Sequence, residues 1–197
     1  MNGRPDAPAA RRNRDAILTV LRNELDESKS LLEIGSGTGQ HAVYFGEALP
    51  HVRWQTSDRL ENHGGISAWL AEAALENVLA PLDLDVLQCG AVSGGYDAVF
   101  SANTAHIMSY PAVECMFRIV GEVLSGGGVF CLYGPFNIDG KFTSESNERF
   151  DQSLRTQNPE MGIRELADLD RLAMDSGLER SKRYAMPANN MMVIWRS

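Results

Sequence analysis

The chain has 197 residues, 44% of them hydrophobic, with 26 acidic against 18 basic side chains and a net charge of −8. An acidic balance of that size repels nucleic-acid backbones and anionic membrane surfaces unless one face is locally basic. Only residues 1–14, with Arg4, Arg11, Arg12 and Arg14, are locally basic, which leaves a small molecule as the expected partner, and no run approaches the ~20 apolar residues of a membrane span.

In chain order, Asn13 is placed to cap a helix whose Ile17, Val20, Leu21 and Leu25 share one face. A short apolar strand over 29–34 is broken by glycines, and helical spacing resumes over 41–49 through Ala42, Phe45 and Leu49 until Pro50 stops it. A second strand over 52–56 ends at Ser57 and Asp58. A Gly64-Gly65 loop and a helix through Ile66, Trp69, Leu70, Ala73 and Ala74 follow. Strands are expected over 81–86 and 97–102. A helix lined by Val113, Met116, Phe117, Val120 and Leu124 comes next, and Gly126, Gly127 and Gly128 lead into a fifth strand over 129–133. Continuous apolar strands alternating with amphipathic helices predict a doubly wound α/β fold, a mostly parallel sheet with helices on both faces.

The last third reads differently. Residues 134–163 are polar with a short helix over 146–155, a pattern open to a lid or to a solvated surface segment carrying Lys141, Arg149 and Arg155. A helix over 165–176 ends at Gly177 in the position of a left-handed cap. Strands over 178–186 and 191–196 flank Pro187-Ala188-Asn189-Asn190, an antiparallel hairpin that closes the chain. The length suits one domain over 1–197, with 1–28 as an N-terminal arm and helix. Cys89, Cys115 and Cys131 have neither the number nor the spacing of a disulfide frame or a metal site. The N-terminus lacks the charged-then-apolar order of a signal peptide, so a cytoplasmic location is expected.

The stretch LLEIGSGTGQHA over 31–42 places Gly35, Gly37 and Gly39 between a strand and a helix. Glycines there let backbone amides approach a ligand at the positive end of a helix, at the position where open parallel sheets bind nucleotides. The bland reading is a tight turn that binds nothing. The dinucleotide fingerprint needs glycine at position 40, where this chain has Gln40, so a nicotinamide cofactor fits poorly. Asp58 at the end of the next strand supplies a carboxylate able to accept both hydroxyls of a ribose, although acidic residues are also common turn formers.

The run EIGSGTG over 33–39 together with Asp58 resembles class I S-adenosylmethionine-dependent methyltransferases. That resemblance implies a Rossmann-like seven-stranded sheet and S-adenosylmethionine as cofactor. Gly35, Ser36, Gly37, Thr38 and Gly39 would hold its methionine part, Glu33 would act on its amino group, and Asp58 would hold its ribose. Asp85, within LDLDV, would sit beside the adenine amino group, with Asp83 as its rival. The ordered strings APAARRN, SGTGQHAVYF, NTAHI, YGPF, SNERFD, GIRELADL and MPANN, spread over 7–190, are similar to the methyltransferase-like 26 family. No Asn/Asp-Pro-Pro-aromatic string follows the fourth strand, which disfavours exocyclic base nitrogens as acceptors.

Methyl transfer to a small-molecule acceptor, an oxygen nucleophile foremost, is the expected reaction, and its main demand is alignment. His106, just beyond the fourth strand, is a candidate base or a core histidine holding the loop. Tyr133 is placed to orient the acceptor or simply to pack. Asn103 offers a contact for the methionine end or a turn cap, and Arg12 and Asn13 would fold over the site or stay solvated. Asn189 and Asn190 suit a polar substrate contact or a turn alone. Replacing Asp58 by alanine is expected to weaken cofactor binding while leaving folding largely intact. A non-catalytic binding module on the same fold is the alternative function.

Overall fold

The computed structural model describes residues 4–88 and 92–197, so Cys89 lies outside the described residues. Helix α1 spans Pro8–Glu24. It opens at a proline, whose missing N–H is one of the unpaired donors of any first helical turn. Asn13 therefore lies inside the helix, and its expected role as N-cap is corrected. Then come β1 (Ser30–Ile34), α2 (Gln40–Ala48), β2 (Arg53–Asp58), α3 (His63–Ala73), β3 (Val78–Asp83), β4 (Tyr96–Ala102) and α4 (Tyr110–Val123). The remainder is β5 (Leu124–Gly134), β6 (Phe136–Asn137), α5 (Glu145–Gln157), β7 (Arg164–Glu165), α6 (Leu166–Asp175), β8 (Glu179–Met186) and β9 (Asn190–Arg196).

Three expectations shift. Gly64 and Gly65 belong to α3 and not to a loop. Gly65 makes room for the N-terminal arm, since a Cβ there would lie 2.8 Å from Pro5 Cγ. Strand β3 runs three residues earlier than expected because its pairing with β2 starts at Trp54 opposite Val78 and ends at Asp58 opposite Asp83. Pro81 is tolerated inside it because β3 is an edge strand, with one side free of ladder partners. Leu124 opens β5 in place of ending α4, and the three glycines lie within that strand.

The main sheet has seven strands in the order β3-β2-β1-β4-β5-β9-β8. Strands β1 to β5 pair in parallel, while β9 is antiparallel to both β5 and β8. The architecture is thus the doubly wound, mostly parallel sheet with a closing hairpin. Alternation along β1 explains the two cores. Leu31 joins Ile17, Leu21, Phe45, Trp54 and Phe100 on the α1/α2 side, whereas Leu32 and Ile34 join Val113, Phe117 and Leu169 on the α4/α6 side. Each such fully buried side chain stabilises the fold by about 1.5–3 kcal/mol. The hairpin is welded on by Trp195, stacked on Phe130 with centroids 5.6 Å apart. Buried Glu24, which accepts bonds from Lys182, Tyr184 and Arg196, fastens it to α1.

Residues 134–163 contain structure of their own. Strand β6 pairs with β7 in parallel. Helix α5 is capped by Ser144, whose hydroxyl accepts from the Asn147 amide at 3.1 Å. Buried Asp151 accepts from Ile163 N and Arg155 Nε, both at 2.7 Å. Asn147 donates to the carbonyl of Asn189 at 3.0 Å, tying α5 to the β8–β9 turn. The strand order reverses between β1 and β4, so the carboxyl ends of those two strands open the crevice in which ligands of open parallel sheets bind.

Candidate functional site

Each of the three loop glycines has a positive φ, and the surroundings of each differ. At Gly35 a Cβ would lie 2.6 Å from Thr104 Cγ2, and at Gly39 it would lie 3.0 Å from Ile66 Cα. Those two absences are explained by the protein's own packing against the loop after β4 and against α3. At Gly37 a Cβ would meet nothing within 4 Å. Of the three side chains missing from this loop, only that one leaves room for something other than the protein.

The loop hangs from the end of β2. The amides of Gly35 and Ser36 donate to Ser57 O at 3.0 and 2.9 Å. Gly37 N donates to Asp58 Oδ2 at 2.7 Å, and the other Asp58 oxygen accepts from Arg59 N at 2.8 Å and Asn62 Nδ2 at 2.7 Å. Asp58 is thus the tether of the glycine loop, with part of its acceptor capacity left over. Helix α2 begins after Gly39 with no side chain capping it, so its first-turn amides face the crevice with the helix dipole behind them. Thr38 and the arm are linked through Gln40. Its amide oxygen accepts from Thr38 Oγ1 at 3.0 Å and from Ala7 N, and its amide nitrogen donates to Asp6 at 3.1 Å.

Glu33 is buried beside the loop. Its Oε2 accepts from Ser36 Oγ at 2.8 Å and from Trp54 Nε1 at 3.0 Å, while Oε1 has no hydrogen-bond partner among the described residues. Burial, which the Trp54 and Ser36 bonds only partly offset and nearby Asp58 reinforces, pushes its carboxyl up to about 7. Between pH 4.5 and about 7 the folded protein therefore holds a proton that the unfolded chain has released. The contribution of Glu33 to stability falls as pH rises through that window and levels off above it. Glu33→Gln keeps an acceptor for Trp54 and Ser36 and removes the titration. Measured by thermal unfolding, the stability difference between wild type and variant should therefore shift by about 3 kcal/mol between pH 5 and pH 8, with the titrations of the buried histidines common to both proteins cancelling in the comparison.

Across the crevice, Asn103 follows β4 at φ 61°, a left-handed residue whose amide donates to Tyr133 O at 2.9 Å. Strain of this kind in a non-glycine residue concentrates at functional sites. Ser101 Oγ shares a 2.7 Å bond with Thr104 Oγ1, and Ser101 also bonds Ile34 O, also at 2.7 Å, which locks the end of β4 to the glycine loop. The Tyr133 hydroxyl is bonded to the side chain of Asn13, which offsets in part the upward push of burial on the phenol. Asn13 Oδ1 in turn lies 2.8 Å from His41 Nε2. Asn13 thus acts from inside α1, bridging β5 and α2.

His106 is 6% exposed. Its ring meets Phe150 of α5 edge-on at 5.3 Å, and neither ring nitrogen has a hydrogen-bond partner among the described residues. Burial, aided by the positive charge of Arg164, pushes its imidazole down to about 4. The imidazole is therefore uncharged at neutral pH.

Other expectations fare unevenly. Asp85 lies beyond β3 and caps a short 3-10 turn, accepting from Leu87 N at 3.0 Å. The strand-end position that favoured it belongs to exposed Asp83. Arg12 is exposed on α1 with no ion pair among the described residues. Arg155 is spent on Asp151, and exposed Arg149 faces Glu145 at 3.7 Å, so neither is a free cation for an anionic substrate. Asn189 bonds Ser146 and belongs to the α5–hairpin junction. Trp54, Thr104, Phe150 and Arg164 are absent from the sequence-based set of site residues.

A protein-family model described as "Protein of unknown function (DUF938)" matches residues 4–197. The chain belongs to the DUF938 family. The likeness to the methyltransferase-like 26 family rests on the quoted strings alone. Among solved structures, the DUF938 chain is similar to the S-adenosylmethionine-dependent methyltransferase SibL in its apo form, with TM-score 0.81 and 21% identity over 95% of this chain and 55% of that one. It is also similar to PigF with SAH, at 0.79 and 14% over 92% and 55%. The mitomycin 7-O-methyltransferase MmcR matches at 0.77 and 17% over 97% and 58%. These likenesses show a Rossmann-like methyltransferase fold, and the DUF938 chain spans a little over half the length of each of those proteins. No helix among the described residues is long and apolar enough to cross a membrane.

Proposed function

We propose that this chain binds S-adenosylmethionine across the carboxyl ends of β1, β2 and β4 and transfers its methyl group to a small-molecule acceptor, an oxygen nucleophile foremost. The observation that carries the reading is the open space over Gly37. It adjoins the Asp58 carboxylate that bonds the Gly37 amide and the Ser36 hydroxyl that bonds Glu33. Glycine-loop amides and the uncapped start of α2 suit the methionine carboxylate. The unpaired oxygen of Glu33 suits its ammonium, and the remaining lone pairs of Asp58 suit a ribose hydroxyl. Asp83 takes over from Asp85 as the first choice for the adenine edge. Asn103 and the Asn13 arm border the methionine end, with Arg12 as a solvated outer contact. The fold shared with S-adenosylmethionine-dependent methyltransferases supports that cofactor.

The bound cofactor supplies an electrophilic methyl carbon on sulfur. With that carbon as electrophile, the acceptor oxygen would gain the methyl group, and its hydroxyl proton would leave to the neutral His106 nitrogen or to water. At about 4, His106 is a weak base, so its contribution is orientation of the hydroxyl more than proton removal. Tyr133, held by Asn13, orients the acceptor from the other side, and the shell of α5 excludes water. Alignment of this kind supplies several kcal/mol of barrier reduction, up to about 7–11.

The cysteine pattern, which frames no disulfide, supports a cytoplasmic location. Calorimetry with S-adenosylmethionine should give saturable binding. Methyl-labelled cofactor incubated with a small-molecule extract should then yield labelled products whose new bond, to oxygen, nitrogen or sulfur, mass spectrometry identifies. Binding without transfer would leave a cofactor-binding module, and no binding by folded protein overturns the reading.

A further inference from the structure

Arg164, the first residue of β7, is 9% exposed. Its guanidinium bonds no carboxylate among the described residues. Nε donates to Ala105 O at 2.9 Å, and one terminal nitrogen donates to Met108 O and, at 2.8 Å, to Glu160 O. Taking a guanidinium out of water costs several kcal/mol, and a well-packed apolar side chain in its place often gives equal or greater stability. Closing the fold is therefore a poor account of this residue. Two of its three acceptors are the carbonyls on either side of His106.

A second contact makes the same junction. Gly162 N donates to the carbonyl of His106 itself at 2.9 Å. The next amide, Ile163 N, is held by Asp151 on α5, the helix whose Phe150 ring abuts the imidazole. Residues 160–164 thus form a bracket with one arm on the backbone of 105–108 and the other on α5. Inside the bracket sits an imidazole that is 6% exposed and has no hydrogen-bond partner among the described residues. Its nitrogens are left open to a partner from outside the protein. A neutral ring nitrogen suits a hydroxyl donor.

We propose that Arg164 is a positioning residue of the acceptor side of the site, fixing the 105–108 turn so that the unpartnered His106 imidazole is presented to the substrate hydroxyl. This rests on the acceptor-side role given to His106 above. The ionisable groups around the junction are Asp151 and Arg155 of α5, which pair with each other, Tyr110 of α4, and Arg164 itself. Only Arg164 adds a net charge beside the ring, opposing its protonation.

The test compares full-length wild type, Arg164→Met and Arg164→Lys by NMR of ring-labelled histidine, by S-adenosylmethionine calorimetry, and by label transfer to a small-molecule extract. Arg164→Met should leave cofactor affinity within about twofold, as expected of a distant independent site. The His106 signal should broaden or split, and its titration midpoint should rise. Transfer should fall by roughly a hundredfold, the cost of an ångström-scale misplacement. Arg164→Lys, which keeps the charge without the planar fork, should hold the low midpoint while its transfer remains impaired. If Arg164→Met fails to fold, Arg164→Lys decides: unchanged His106 signals and unchanged transfer overturn the proposal, and impaired transfer with intact cofactor binding supports it. A wild type that binds no S-adenosylmethionine would sink the proposed function, while the His106 spectra would still report whether Arg164 orders the turn.

Discussion

Gly37→Asn is expected to keep the fold and to abolish S-adenosylmethionine binding. The backbone at Gly37 has φ 58°, inside the left-handed region that asparagine enters more readily than other side-chain-bearing residues, so the conformational cost is about 1 kcal/mol. No protein atom lies within 4 Å of the position its Cβ would take, and nothing in the core is displaced. The new side chain instead fills the space assigned to the methionine part of the cofactor. Losing that fit should cost ~3 kcal/mol or more, a fall of about a hundredfold or greater in affinity. Gly35→Ala is the contrasting control. Its Cβ would meet Thr104 Cγ2 at 2.6 Å with φ at 76°, so it should lower the melting temperature through overpacking and strain before any question of binding arises. A folded Gly37→Asn protein that binds the cofactor like wild type would move the site away from this loop.

That contrast marks how far the sequence carries. The alternation of apolar strands with helices made the doubly wound sheet legible, because periodicity records which faces are buried. The closing hairpin was equally legible from its asparagine-rich turn. Spacing could not say which glycine is kept for a ligand, since Gly35 and Gly39 answer to Thr104 and Ile66, residues 69 and 27 positions away. Strand ends were the weakest inference. Pro81 read as a boundary, but on an edge strand it costs no ladder bond, and with the shift of β3 the strand-end carboxylate is Asp83 and not Asp85. Arg164 entered the sequence reading only within the string GIRELADL. Its burial depends on the β6–β7 pairing, which two-residue strands leave invisible in the sequence. Trp54 carried no signal for its role because the Glu33 contact arises from neighbouring strands in register. The imidazole of His106 was found, but its titration was not, because desolvation depends on what α5 covers.

Asp58→Ala is expected to damage both the loop and the ligand site. The sequence suggested a carboxylate facing a ribose and a fold indifferent to its removal. In the structure the same group accepts from Gly37 N, Arg59 N and Asn62 Nδ2. Alanine leaves those donors without their acceptor. Leaving such a group unsatisfied costs about 1–3 kcal/mol for each donor that water does not reach. Charge-assisted bonds to a ribose hydroxyl contribute about 1.5–3 kcal/mol each, so cofactor affinity should fall by roughly 10- to 150-fold even in molecules that remain folded. Asp58→Asn separates the two effects. Its amide oxygen can still accept on one side while its NH2 faces the donors on the other, so thermal stability should return only in part, while the lost charge keeps binding weakened by about tenfold. Melting curves and calorimetry on the same preparations give both quantities. If alanine lowers stability and leaves S-adenosylmethionine affinity untouched, Asp58 is a tether for the loop alone and the ribose must be held by another group.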